Sequence, residues 1–265
     1  MLASNKVNSL SLPVSTRNEL LNGLVLSSYI KYAVTKKGFL LNDSGFVHSG
    51  NTSHIFLDLF VQTSKLLRYK KKLVPLKRSL KEVNSNLLSY KKRLSSLLKF
   101  RVSKVNIPSN TVLRVNYLNY QVKDSKRMND IYTHFKNQQR LMFSRRVNLF
   151  ADFLKAVYLL KNKAVGVNLF LVILGEVFRR LTKRKHSRFI AFVRVLSQYL
   201  VNSGVLKGLK FAISGRLMGK PRASTAKVLF GSLEANSVSS NCQYAQIDVY
   251  TFDGAFGLKL WINYK

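Results

Sequence analysis

The sequence predicts an α+β fold that ends in a two-layer domain, with two helices packed on a mostly antiparallel sheet. Leu209, Phe211 and Ile213 alternate with polar or small residues, which is the period of a half-buried strand. Residues 167–182 carry apolar side chains along one face at helical spacing. An Asp-Gly pair at 253–254 lies between two apolar alternating runs, which indicates a β-hairpin.

The N-terminal half shows weaker patterns than the C-terminal quarter. Residues 19–32 have loosely helical apolar spacing and predict a helix. Residues 36–51 contain three glycines and predict a turn-rich connection. Residues 52–67 predict a second apolar helix, and residues 101–107 and 111–122 predict two short strands. The apolar residues that predict this second helix are Ile55, Phe56, Leu59, Phe60, Leu66 and Leu67.

The second half of the chain predicts four helices before the final strands. Residues 124–146 and 149–160 supply the first two, followed by 167–182. Ser187 is a plausible N-cap for a fourth helix, and Gly204 is suited to end it. Aromatic residues on the first of these helices are interpreted either as core or as rings that stack on bases; they are Tyr132, Phe135 and Phe143.

Charge is the strongest compositional signal. The 265 residues include 45 Lys and Arg against 11 Asp and Glu, which gives a net charge of +34. Such an excess makes a free chain repel itself, so it implies a polyanionic partner, with nucleic acid as the first choice. A single cysteine, Cys242, excludes an internal disulfide framework and a cysteine-rich zinc site. No apolar run reaches the roughly 20 residues that span a bilayer.

Residues 65–104 form the most basic stretch. They contain 14 Lys and Arg and one acid, Glu82. The stretch predicts either a solvated helix or disordered tail, or a basic extension that threads between RNA helices. Leucines and a tyrosine interleaved with the lysines favour the extension. The predicted RNA contacts in it are Lys70, Lys71, Lys72, Lys91, Lys92 and Arg93.

The residue types that carry catalysis are sparse and scattered. The four histidines, His48, His54, His134 and His186, lack metal-ligand spacing, and no phosphate-binding loop with Lys and Ser/Thr is present. His186 lies among cations, where it predicts an RNA contact or a structural hydrogen bond. We therefore expect neither an enzyme nor a bound metal, cofactor or small-molecule substrate.

Three C-terminal motifs, at residues 214–219, Arg222-Ala223 and residues 254–262, resemble the universal family of small-subunit ribosomal protein three. In that family a strand enters Ser-Gly-Arg-Leu-x-Gly, then Arg-Ala, and the chain closes with Gly-x-x-Gly-x-Lys-x-Trp-Ile. Here these positions are residues 214–219, Arg222-Ala223 and residues 254–262. Residues 6–12 resemble the opening of the family. The Gly-Lys-Pro-Arg-Ala wording of residues 219–223 is more similar to mitochondrial members than to bacterial ones.

The resemblance implies a domain organisation. Residues 1–64 and 105–165 would form a degenerate type II KH-like domain, interrupted by the basic insertion at 65–104, and residues 166–265 would form the C-terminal domain. A KH domain grips single strands with a Gly-x-x-Gly loop. That loop is absent from residues 1–200, so the N-terminal half would contact RNA through the shape of the RNA and through its phosphates.

The resemblance also implies a function and partners. The chain would bind small-subunit rRNA in the head of the subunit, on the side where mRNA enters, next to other head proteins. The predicted rRNA contacts on the C-terminal turn are Arg216, Lys220 and Arg222, although Arg216 could instead cap the core. Arg188 falls on the first of three basic family positions that face mRNA, and Phe189 and Phe192 replace the other two. Cations nearby are predicted to substitute for them, namely Lys183, Arg184, Lys185 and Arg194.

Two other classes of function stay open from the sequence. One is an RNA chaperone or intron-splicing factor, and the other is a basic peripheral membrane protein. Residues 1–12 are weak as a transit peptide, so a mitochondrial protein of this kind would be made inside the organelle and remain in the matrix.

Overall fold

The computed structural model describes residues 39–49, 52–62, 110–118, 122, 125–143, 147–234, 237 and 240–265. Strands β1 (Phe39–Ser49), β2 (Thr52–Val61) and β3 (Asn110–Tyr117) form a three-stranded sheet in the order β1-β2-β3. The chain divides into two compact units. One unit contains β1 and nearly all of β3, and the other contains the described residues from Tyr117 onward. The predictions for 6–12, 19–32, 65–104 and 101–107 lie outside the described residues.

Two predictions for the N-terminal half are wrong. The turn-rich connection predicted at 36–51 is strand β1 over 39–49, and the helix predicted at 52–67 is strand β2 over 52–61. Positions 55, 57 and 59 are buried, whereas Phe56 between them is exposed, which is the alternation of a strand. In the sequence, the adjacent apolar pairs 55–56 and 59–60 lie four residues apart, which imitates the spacing of a helix. The alternation of buried and exposed side chains in the structure is instead that of a strand.

The helices predicted in the second half are confirmed, with shifted ends. They are α1 (Ser125–Met142), α2 (Val147–Lys161), α3 (Val167–Arg179) and α4 (His186–Asn202). The Ser187 cap is wrong, because α4 begins at His186 and Lys185 occupies the cap position without a side-chain hydrogen bond. Gly204 does end α4: its φ is +75°, and its N–H donates to the Val201 carbonyl at 2.9 Å.

A four-stranded antiparallel sheet follows the helices. Strands β4 (Leu206–Gly215), β5 (Ser224–Gly231), β6 (Cys242–Thr251) and β7 (Gly254–Tyr264) are arranged in the order β5-β4-β7-β6. Helix α3 packs on β6 and β7, and α4 packs on β4 and β5. The predicted two-layer arrangement is therefore confirmed. The 253–254 hairpin is also confirmed, and Thr251 Oγ1 closes it by accepting the Asp253 N–H at 3.2 Å.

Phenylalanines form the core between the helices. The Phe192 ring on α4 lies 5.1 Å from Phe153 on α2 and 6.2 Å from Phe135 on α1. Phe135 and Phe143 are buried, so the interpretation that they stack on bases is wrong for both, whereas Tyr132 is 40% exposed. Within the part of the chain that the structure describes, no helix is long and apolar enough to cross a membrane.

Candidate nucleic-acid interface

Two basic segments that are distant in sequence lie side by side in the fold. The junction turn is the 3₁₀ helix Lys183–Lys185 between α3 and α4. The arginine turn is residues 216–222 between β4 and β5, and it contains the 3₁₀ helix Leu217–Gly219. The two 3₁₀ helices are in contact, and a Cβ on Gly219 would lie 3.2 Å from Lys183 Cδ. The structure thus joins the two groups of cations that the sequence predicted separately.

Seven cations belong to this surface, which we call the basic corner. Six of them are exposed and Lys185 is half-buried. Among the described residues, no ion pair involves any of the seven. Glu176 on α3 is engaged elsewhere, at 3.8 Å from Arg179 and 3.6 Å from Arg180. The carboxylates of the described residues therefore leave the positive charge of the corner unpaired. Its members are Lys183, Arg184, Lys185, Arg188, Arg216, Lys220 and Arg222.

Arg216 stabilises the arginine turn from outside. Its side chain is exposed, and its Nε–H donates to the Lys220 carbonyl at 3.2 Å, which closes the turn. The alternative that Arg216 caps the core is therefore wrong, and buried Leu217 anchors the turn instead. A guanidinium has five N–H donors, so most of them remain for a phosphate.

The backbone of the arginine turn needs unusual conformations. Gly215 has φ +147° and Gly219 has φ +74°, and Met218 between them has φ +58° in the left-handed region. The Met218 N–H donates to His186 Nδ1 at 3.2 Å. Since His186 is the first residue of α4, this bond ties the arginine turn to the helix that follows the junction turn.

His186 is an internal support and not an RNA contact. The ring is fully buried, with its centroid 4.8 Å from that of Phe178 and 5.4 Å from that of Phe256. Burial lowers the pKa of His186 below its ordinary value, and the Asp253 carboxylate partly opposes that effect. The structural hydrogen bond predicted for His186 is confirmed, with the neutral ring accepting through Nδ1.

The buried imidazole makes stability depend on pH. Because the lowered pKa means that the unfolded chain takes up this proton first, we expect the free energy of unfolding to fall as pH drops below about 6.5. His186→Asn offers an acceptor oxygen near the Nδ1 position and does not titrate. Urea unfolding at about pH 5 and about pH 7.5 should therefore show a smaller pH effect in His186→Asn than in the parent chain. An equal pH effect in both proteins would contradict this account.

Six of the predicted RNA contacts belong to the basic stretch at 65–104. The lysines and arginine at 70–72 and 91–93 lie outside the described residues. On the sheet, the face opposite the helices carries Lys210, Tyr244 and Trp261, which sequence analysis did not single out. The available signal was the alternation along β6, whose outward positions are polar or aromatic. Within the described residues, no three His, Cys, Asp or Glu side chains are placed to hold a metal ion.

Comparison with known proteins identifies relatives by sequence. No family model matches the chain. The small ribosomal subunit protein uS3c of Euglena longa is 26% identical over 163 residues, which is 58% of this chain and 71% of that protein. The small ribosomal subunit protein uS3 of Mycoplasmopsis synoviae is 24% identical over 165 residues, 62% of this chain and 70% of that protein.

Shorter segments match more closely. The uS3c protein of Emiliania huxleyi is 35% identical over 81 residues, which covers 31% of this chain and 37% of that relative. All three relatives are named as small-subunit ribosomal proteins, and none is named as an enzyme. At modest identity over much of its length, this chain is similar to small-subunit ribosomal proteins named uS3 and uS3c, which supports its resemblance to that family.

Proposed function

We propose that the chain is a structural protein of the mitochondrial small ribosomal subunit, and that it binds rRNA in the subunit head near the point where mRNA enters. One observation carries the proposal: the fold gathers seven cations into the basic corner, and no ion pair among the described residues neutralises them. The uS3 and uS3c relatives, which are named as small-subunit proteins, support the ribosomal assignment.

Binding would rest on phosphate neutralisation at fixed positions. Lysine and arginine side chains displace condensed counterions from RNA, and that release supplies most of the sequence-independent affinity. Leu217, His186 and the aromatic core hold the two turns, so the charges meet the RNA in one arrangement. Contacts of this kind position a protein on RNA and do not select a base sequence.

The two turns would divide the work between rRNA and mRNA. The arginine turn would contact rRNA, while Lys183, Arg184, Lys185 and Arg188 would face mRNA as it enters. Arg188 lies exposed in the first turn of α4, beside the junction turn. Because the turns touch, the mRNA path would run along the edge of the rRNA contact.

Incorporation into subunits tests the rRNA contact. The double variant Arg216→Ala and Arg222→Ala should show reduced incorporation into small subunits, because it removes two of the seven corner charges and both guanidiniums of the arginine turn. Lys126→Ala with Lys136→Ala is the matched control, since both lysines are exposed on α1. A folded arginine-turn variant that assembles as well as this control would exclude the turn from the contact. Selective crosslinking of the chain to introns, with none to rRNA, would favour an RNA chaperone instead.

The mRNA-facing role has its own readout. Replacing Lys183, Arg184, Lys185 and Arg188 with glutamine should leave incorporation intact and weaken mRNA loading onto purified small subunits. The reason is that these side chains would attract the incoming strand without holding the head together. Unchanged loading by subunits that carry this variant would count against the role.

The compartment and the N-terminal domain belong to the same proposal. The wording of residues 219–223 supports a mitochondrial ribosome in the matrix, with the chain made inside the organelle, whereas two of the relatives are named uS3c. Mass spectrometry of purified mitochondrial and plastid small subunits distinguishes the two compartments, and peptides found only in plastid subunits would overturn the mitochondrial assignment.

The three strands β1 to β3 support a KH-like domain within residues 1–165 that lacks its gripping loop.

A further inference from the structure

The four-stranded sheet has a second face, which points away from α3 and α4. Outward residues on neighbouring strands form cross-strand rows. One row runs across all four strands, because Lys210 on β4 lies opposite Leu229 on β5 and Trp261 on β7, and Trp261 lies opposite Tyr244 on β6. We call this surface the open face.

Aromatic rings on the open face are held in a fixed arrangement. The Tyr244 and Trp261 ring centroids are 5.0 Å apart, with the planes tilted by 42°. Lys210 Nζ lies 5.0 Å from the Trp261 centroid on the neighbouring strand, at cation–π distance. The Tyr244 hydroxyl donates to Gln246 Oε1 at 2.6 Å, which restrains that ring. Rings restrained in this way lose little freedom when a flat group stacks on them.

The face continues toward the β6–β7 hairpin. Tyr250 is 72% exposed on β6, and Phe252 in the hairpin loop is fully exposed. In the next row, Lys227 on β5 and Lys259 on β7 lie on either side of Ala212 on β4. Asp248 on the outward side of β6 places a carboxylate on the same face. Exposed aromatic side chains in such number mark an interaction site more often than a solvated surface.

We propose that the open face binds an unpaired segment of rRNA, with bases stacked on Tyr244, Trp261 and Tyr250 and phosphates near Lys227 and Lys259. Aromatic rings that alternate with lysines on a sheet are suited to single-stranded nucleic acid, because every base offers a π-face and every linkage a charge. The cores of protein–protein interfaces are depleted in lysine, so the composition favours RNA over a protein partner. The choice of rRNA as the source rests on the proposed function.

Trp261 is the single tryptophan of the chain, so its fluorescence reports on this face directly. Titration of the full chain with a single-stranded oligoribonucleotide of mixed sequence should quench Trp261 emission, and an RNA duplex of the same length should quench it far less. Tyr250→Ala should weaken single-strand affinity by about 5- to 100-fold, as expected for the loss of one stacked base. Leu141→Ala is the control, because it removes an exposed apolar side chain from α1 and leaves the sheet intact.

Failure here is distinguishable from failure of the basic corner. Arg216→Gln with Arg222→Gln should lower affinity for both RNAs while quenching at saturation by the single strand is retained. Three outcomes would overturn the open-face site. They are no quenching at saturating single strand, equal quenching by the duplex, and a Trp261 that acrylamide cannot reach in the free chain, since part of the chain or a second copy would then cover the face.

Ultraviolet crosslinking in purified small subunits identifies the occupant. Peptides that contain Tyr244 or Tyr250 should carry rRNA nucleotides. Crosslinks from these peptides to mRNA alone, or to a neighbouring protein alone, would overturn the assignment to rRNA even if the basic corner still governs incorporation.

Discussion

Gly215→Ala is expected to lower the free energy of unfolding by about 2 to 5 kcal/mol, which is a large fraction of the stability of a typical domain. Gly215 has φ +147°, a conformation that side chains rarely adopt. A Cβ there would also overlap the Phe256 ring, whose Cδ1 is its nearest neighbour. Phe256 is fully buried against Phe178 and His186, so the ring has little room to move. Urea unfolding followed by Trp261 fluorescence measures the change.

Gly254→Ala separates the two causes. Gly254 has φ +122°, but a Cβ there would meet nothing within 4 Å. Gly254→Ala should therefore lower the free energy of unfolding only through backbone strain, by roughly 1 to 3 kcal/mol. An equal loss in both variants would mean that the overlap with Phe256 contributes nothing. Because Gly215 immediately precedes the arginine turn, we also expect Gly215→Ala to reduce incorporation into subunits.

Replacement of Arg216, Lys220 and Arg222 with glutamine is expected to weaken rRNA binding by roughly two orders of magnitude at about 0.1 M salt. Each contacted phosphate contributes about 0.7 to 0.9 to the slope of log affinity against log salt, so the slope should become shallower by about 2 to 3. Affinity for rRNA fragments, measured across a salt series by filter binding or anisotropy, gives both quantities.

A control of equal charge tests whether location matters. Lys126, Lys136 and Arg140 are exposed on α1, and their replacement with glutamine removes the same three charges. If the basic corner is the contact, this control should change the slope by clearly less. Equal changes in both triple variants would show that the total charge of the chain governs binding and that the corner has no special part in it.

The elements that are correctly predicted from the sequence are those whose buried and exposed positions follow the period of a strand or a helix. Strand β4 buries Leu209, Phe211 and Ile213 against the helices, so its alternation is visible in the sequence. Helix α3 buries nine of its 13 residues but keeps one stripe of less buried positions, so its helical period is also visible. The sequence pattern of strand β2 wrongly predicts a helix, because Phe60 and Val61 are both buried and consecutive apolar residues obscure the period of two. Short apolar runs of this kind do not distinguish a strand from a helix.

For the candidate site, sequence analysis found the charges and missed their arrangement. The sequence predicts different partners for Lys183 and Arg216, and only the tertiary fold shows that their turns touch. The supporting bond from Met218 N–H to His186 Nδ1 depends on a left-handed backbone conformation at a methionine, which no propensity indicates. The identity of each cation can be read from the sequence, whereas the distance between the two turns depends on how the whole domain packs.

The order of the second sheet has a consequence for synthesis. Strand β7 occupies a central position between β4 and β6, although it follows both in the sequence. During translation, the backbone groups of β4 on that side have no neighbour until residues 254–264 have emerged. A product that stops before Gly254 would leave β5 and β4 separated from β6, with two unprotected edges. Premature termination late in the reading frame should therefore yield an aggregation-prone fragment and not a shortened domain.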